Sequence, residues 1–197
     1  MVSFYGRTAI ELREENAMLM NAIRVSLAAV VAVGLPAMGE QQTEQPSRAA
    51  VIAAAKDIMN AAAVCALVTI GPDGAPQARM MDAFAPEDDL TVWMGTNRNT
   101  RKVAELRSDD RATLVYFDRD DPGYATLIGR VRIIDDPQEK RARWKDAWRD
   151  YYPGGPEGET YLLLQFVPER LEVVSVEHDI AAAPLAWKPA IVELARR

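Results

Sequence analysis

Arg101 and Lys102 stand side by side in "GTNRNTRKVAEL", residues 95–106, where an alternating apolar run gives way through a polar turn to a helix-forming stretch. The first turn of a helix carries a partial positive charge and favours Asp or Glu, so two cations there are locally unfavourable. A bound anion removes the conflict, because the backbone N–H groups of a helix start already form an anion site. Thr100 adds a hydroxyl donor, Arg101 a forked guanidinium and Lys102 a point charge, which together suit a dianionic phosphate monoester. Arg79 reaches the same end of the fold if its strand pairs with "LTVWMGT", residues 90–96. On spacing alone the competing reading is a set of solvated charges that contribute little.

Few other residues offer chemistry. The 197 residues include one cysteine and one histidine, so an intrachain disulfide is excluded, a Cys/His metal cluster has no ligands, and no metal site is expected. Cys65 lies inside an apolar run and reads as a small buried hydrophobe rather than a nucleophile. His178 reads as a loop residue, with haem ligation as the alternative. Asp88–Asp89, Asp109–Asp110 and Asp120–Asp121 all fall in expected turns. With 23 Lys and Arg against 29 Asp and Glu, and a net charge of −6, a general nucleic-acid surface is not expected.

The elements that position these residues follow from pattern. Residues 25–39, "VSLAAVVAVGLPAMG", form an uncharged run short for a bilayer span but matched to a secretory signal, with Ala37-Met38-Gly39 as a small-x-small cleavage pattern. Residues 1–46 are therefore read as a signal-like segment and flexible lead-in, giving a periplasmic or secreted protein. A cytoplasmic location, with a buried N-terminal helix, is the alternative. Residues 47–197 form the folded domain. Ser47 caps an Ala-rich helix over 47–62; "VCALVTI" and "QARMMDAF" flank the turn "GPDGAP" as a hairpin; "LTVWMGT" extends it to a three-strand meander. "RATLVYFD" and "YATLIGRVRII" are two more strands, "DPQEKRARWKDAWRDYY" is one helix carrying Trp144 and Trp148 at i, i+4, and "TYLLLQFVPERLEVVSVE" is strand around Pro168. The expected class is mainly β with flanking helices, an antiparallel six-stranded split barrel. A dinucleotide fold lacks its GxGxxG.

"QARMMDAF", "LTVWMGTNRNTRKVAELRSDDRATLVYFD" and "YATLIGRVRIIDD" resemble the pyridoxamine-phosphate-oxidase-like, FMN-binding split-barrel proteins, most closely their general-stress-protein branch. The most specific part is Thr96-Asn97-x-x-Thr100-Arg101-Lys102, similar to the family's T-N-x-x-S-R-K phosphate motif with Thr for Ser. The resemblance implies that Arg79, Thr100, Arg101 and Lys102 hold the FMN phosphate, and that backbone around Met80, Met81, Gly95, Thr96 and Asn97 lines the flavin. Tyr124 stands where the family often has a Gln reaching the flavin from the other subunit, so a homodimer is implied. The expected function is an FMN-dependent oxidoreductase acting with a small-molecule redox partner, with no side chain as chemical catalyst. The alternative is a non-catalytic carrier of flavin, haem or deazaflavin. The Arg-x-His substrate motif of the true oxidases is missing from "SVEHDIAAAPLAWKPAIVELARR", which discounts vitamin B6 oxidation. Trp187 reads as a hydrophobic anchor, with a lid over a planar ligand as the alternative.

Overall fold

The computed structural model describes residues 45–118, 122–181 and 188–195. The signal-like segment up to residue 44, the Asp120–Asp121 turn and Trp187 lie outside them. Helix α1 (Arg48–Ala62) begins at Ser47, whose hydroxyl accepts the Ala50 N–H at 3.2 Å, and ends where Ala63 turns left-handed at φ 56°. It buries Val51, Ala54, Ala55, Ile58 and Met59 against the sheet, the small alanines allowing close approach.

Strands β1 (Val64–Ile70) and β2 (Pro76–Asp82) form the expected hairpin, running from Val64 opposite Asp82 to Ile70 opposite Pro76. Gly74 supplies the positive φ of the turn, and Asp73 accepts the Ala75 N–H at 3.0 Å. The meander stops there. Strand β3 (Val92–Asn97) pairs with the distant β6 (Tyr161–Val174) rather than with β2. Between them in sequence come α2 (Arg101–Ser108), β4 (Arg111–Phe117) and β5 (Tyr124–Ile134), and the strand order is β2-β1-β4-β5-β6-β3. The two ends of that path, β2 and β3, meet only at the bridge of Ala83 with Met94, beside which Phe84 N–H donates to Trp93 O at 2.9 Å. Six antiparallel strands thus curl into a barrel that stays split along most of the β2–β3 seam. A seventh strand, β7 (Ala190–Glu193), is added on β6 and was not expected; its four residues fall in a stretch that reads only as a C-terminal tail.

Period-two alternation fills the barrel, with Cys65, Leu67, Leu114, Leu127 and Phe166 pointing inward and buried. β6 is one strand through Pro168, because a bulge opposite Gly129 absorbs the proline. A Cβ on Gly129 would lie 2.2 Å from Val167 O, so the two backbones meet where only glycine fits. The expected long helix over 136–152 is corrected. α3 (Pro137–Ala142) is short, and a 3-10 turn follows at Asp146–Trp148. The aromatic side chains decide this: Trp148 packs edge-on against Phe84 at 5.5 Å and Trp144 against Tyr161 at 5.3 Å, forming a second small core outside β3 and β6. Wrapping a strap over that surface outweighs continuing one straight helix.

Candidate functional site

Arg79 points to the inner side of β2, where the hairpin register sets it opposite Leu67 and diagonal to Thr69. Its guanidinium donates to Thr69 Oγ1 at 2.5 Å and to Glu105 Oε2 at 2.8 Å. The Thr69 hydroxyl in turn donates to the same Glu105 oxygen at 2.6 Å. Glu105 lies on the barrel-facing side of α2, between the buried Val103 and Leu106, and its side chain is 2% exposed. Four residues earlier on that helix, Arg101 Nε sits 2.9 Å from Glu105 Oε1, while its outer end donates to Gln77 at 3.1 Å. Burial pushes the Glu105 carboxyl up, but the Thr69 hydrogen bond and the Arg79 and Arg101 charges together outweigh it and hold it below the ordinary glutamate value. The group is a carboxylate at neutral pH, and it links the hairpin to α2.

The start of α2 carries the remaining donors. Thr100 occupies the N-cap position without a side-chain cap bond; its hydroxyl donates to Asn97 O at 2.8 Å. Asn97 Oδ1 accepts from the Asn99 N–H at 2.9 Å, so neither it nor the Thr100 hydroxyl caps the helix. Lys102 Nζ donates to the buried Thr96 Oγ1 at 3.2 Å. Burial first, and then the neighbouring Arg79 charge, lower the pKa of its ammonium, with Glu105 opposing. Arg98 belongs elsewhere, paired with Asp135 and Glu159 O on the far side of the turn. The structure therefore gathers Arg79, Thr96, Thr100, Arg101 and Lys102 around one helix start.

The split between β2 and β3 opens beside this cluster. Met81 faces the core and Met80 is 66% exposed on the outside, so the β2 edge between them presents backbone to the seam. On the other edge, Gly95 has no room for a side chain, since its Cβ would lie 2.6 Å from the Trp148 ring. Trp148 Nε1 donates to Asp82 Oδ2 at 2.7 Å and Lys145 donates to Asp82 Oδ1 at 2.6 Å. A ring seated on β3 is thus latched to β2, and the strap closes the narrow end of the split from outside. Tyr124 stands apart, paired with Phe117 and Val174 at the start of β5 and five positions along that strand from Gly129.

Sequence reasoning missed Thr69, Glu105 and the Asp82–Trp148 latch. The first two were findable: the hairpin register places Thr69 near Arg79, and Glu105 follows Arg101 by one helical turn. The other candidates stay structural. Cys65 is buried, and burial above all pushes its thiol up to about 11, away from thiolate chemistry. Both ring nitrogens of His178 face protein partners, Ser175 Oγ at 2.8 Å and Asp57 at 3.1 Å. A crevice lined by Arg48, Asp88, Leu90, Pro168 and Leu194 shares no residue with the helix-start cluster.

The family model described as pyridoxamine 5'-phosphate oxidase matches residues 51–175, which run from the first turn of α1 to just past the end of β6. The chain belongs to that family. Solved structures in the same fold include a Clostridium acetobutylicum protein related to general stress protein 26, of the pyridoxinephosphate oxidase family. It is 21% identical over 75% of this chain and 96% of that one, with a TM-score of 0.63. An FMN-binding, pyridoxamine 5'-phosphate oxidase-related protein from Nostoc punctiforme is 16% identical over 78% and 99%, with a TM-score of 0.55. A haem-binding protein from Mycobacterium smegmatis is 18% identical over 76% and 59%, with a TM-score of 0.56. No curated protein matches the chain. The fold is that of FMN-binding split barrels, and no helix among the described residues is long and apolar enough to cross a membrane.

The burial of the pair sets a stability order within this oxidase-family barrel. Arg79→Met strands a buried carboxylate and costs about 3 kcal/mol, the low end for a broken buried pair because Arg101 remains. Arg101→Met, at a side chain 69% exposed, costs less than about 1 kcal/mol. Equilibrium denaturation of both variants checks the order, and equal losses contradict it.

Proposed function

We propose that this family member is an FMN-binding flavoprotein, an oxidoreductase acting on a small substrate, with the cofactor phosphate held at the start of α2. The observation that carries the reading is the charge balance of the cluster. Arg79, Arg101 and Lys102 bring three positive charges and the buried Glu105 one negative, leaving two. A phosphate monoester carries about −1.5 to −2 at neutral pH, so the residues present fit that group. The uncapped helix start adds backbone N–H donors to the same point. When bound, FMN supplies the hydride or electron transfer. The chain's own part is placement: Arg79, Thr100, Arg101 and Lys102 grip the phosphate, and the unpaired edges at Met80–Met81 and Gly95–Asn97 offer backbone donors and acceptors to a ring lying in the split. Trp148 and Lys145 close the far end by their bonds to Asp82.

The same reading includes a homodimer. Ala66, Val68, Met80, Val115 and Phe117 lie on the outward side of neighbouring strands, and the large ones are exposed, with Phe117 at 62%. A contiguous apolar sheet face of this kind fits a second copy, which would bring Tyr124 of the partner subunit towards the flavin.

Two measurements test these assignments. Replacing Arg101 and Lys102 together by Ala should weaken FMN binding about a hundredfold, the sum of two charge-assisted hydrogen bonds, while riboflavin affinity changes less than about threefold. Equal losses for both ligands contradict the phosphate assignment. Val115→Glu should convert a dimer into a monomer by light scattering, and an unchanged mass removes that face from the interface.

A further inference from the structure

We propose that Glu105 is the positioning residue of the phosphate site: through Oε2 it fixes Arg79 and through Oε1 it draws in Arg101, presetting both guanidiniums for the ligand. This rests on the FMN reading above. An apolar side chain at 105 would fill the space between Val103 and Leu106 without the cost of desolvating a charge, so packing does not account for a carboxylate there. What the carboxylate adds is order. Arg79 is held from two sides, by Glu105 and by the Thr69 hydroxyl that itself donates to Glu105. Arg101 is mostly in solvent, and its Nε is tethered to Glu105 while its outer nitrogen reaches Gln77. A long side chain ordered before binding spares the ligand the entropy of ordering it, which is how a residue that never touches phosphate can raise affinity for it. Glu105 touches three protein partners and acts through two of them.

A carboxylate beside an anion site could instead act as a competitor, so the sign of the effect decides. The test compares FMN and riboflavin affinities, by flavin fluorescence quenching, for the full chain and for Glu105→Gln. The expected result is a loss of about tenfold in the preference for FMN, with riboflavin affinity within about twofold of wild type. In the Arg79→Ala, Arg101→Ala background the same substitution should cause no further loss, because nothing is left for it to position. A preference that is unchanged or raised overturns the proposal, as does a parallel loss of both ligands or an additive loss in the double background. Thr69→Val keeps the charge and removes only the shared hydroxyl, so it serves if Glu105→Gln does not fold. It should lower the preference about threefold, and an unchanged preference overturns the proposal. A wild-type protein that binds FMN no better than riboflavin overturns the phosphate reading and this inference with it. Wild-type preference that survives in Glu105→Gln overturns the inference alone.

Discussion

Cations crowd the start of α2 although the helix dipole opposes them, and a buried carboxylate reconciles the arrangement with a stable fold. Glu105 faces inward from the helix and meets Arg79 coming from the hairpin, so one ion pair joins two elements that share no backbone hydrogen bonds. Its desolvation is offset by the Thr69 hydrogen bond and by the charges of Arg79 and Arg101, although Oε1 accepts no hydrogen bond. The seating of α2 against the hairpin, and with it the presentation of Lys102 next to Thr96, depends on that junction.

The barrel supplies the complementary half of the site. A sheet that closed fully would use every edge in pairing, yet here β2 and β3 touch at a single bridge and leave facing edges beside the cationic helix start. The strap between β5 and β6 covers only the narrow end, where Trp148 sits on Gly95 and reaches across to Asp82. Charge at one end, unpaired edges along the sides and an aromatic wall at the other are the features on which we propose binding of a flat molecule with an anionic tail, a phosphorylated flavin.

Local chemistry was legible where it acts locally. Ser47 as a cap, the turn through Gly74 and the apolar, β-branched run of β1 follow from propensity, and the register of the hairpin that the turn closes is what brings Thr69 near Arg79. The partner of β3 was not legible, because its pairing with β6 joins residues more than sixty positions apart and leaves no short-range pattern. The helix expected through Trp144 and Trp148 failed for a related reason: their spacing suits a helix, but the surface that buries them belongs to β3 and β6. Glu105 escaped notice since a charged residue in a short helix is normally solvated, and only tertiary packing puts this one inside. The motif residues at 96, 97 and 100–102 were readable as a group because one turn and one helix start hold them together.

The visible absorption spectrum of the protein purified from its native host tests the central claim most directly. The account predicts a yellow protein with the two-banded spectrum of an oxidised flavin, whose pigment on extraction carries the 5'-phosphate. A Soret band in its place, or a colourless protein that takes up no added FMN, would contradict it.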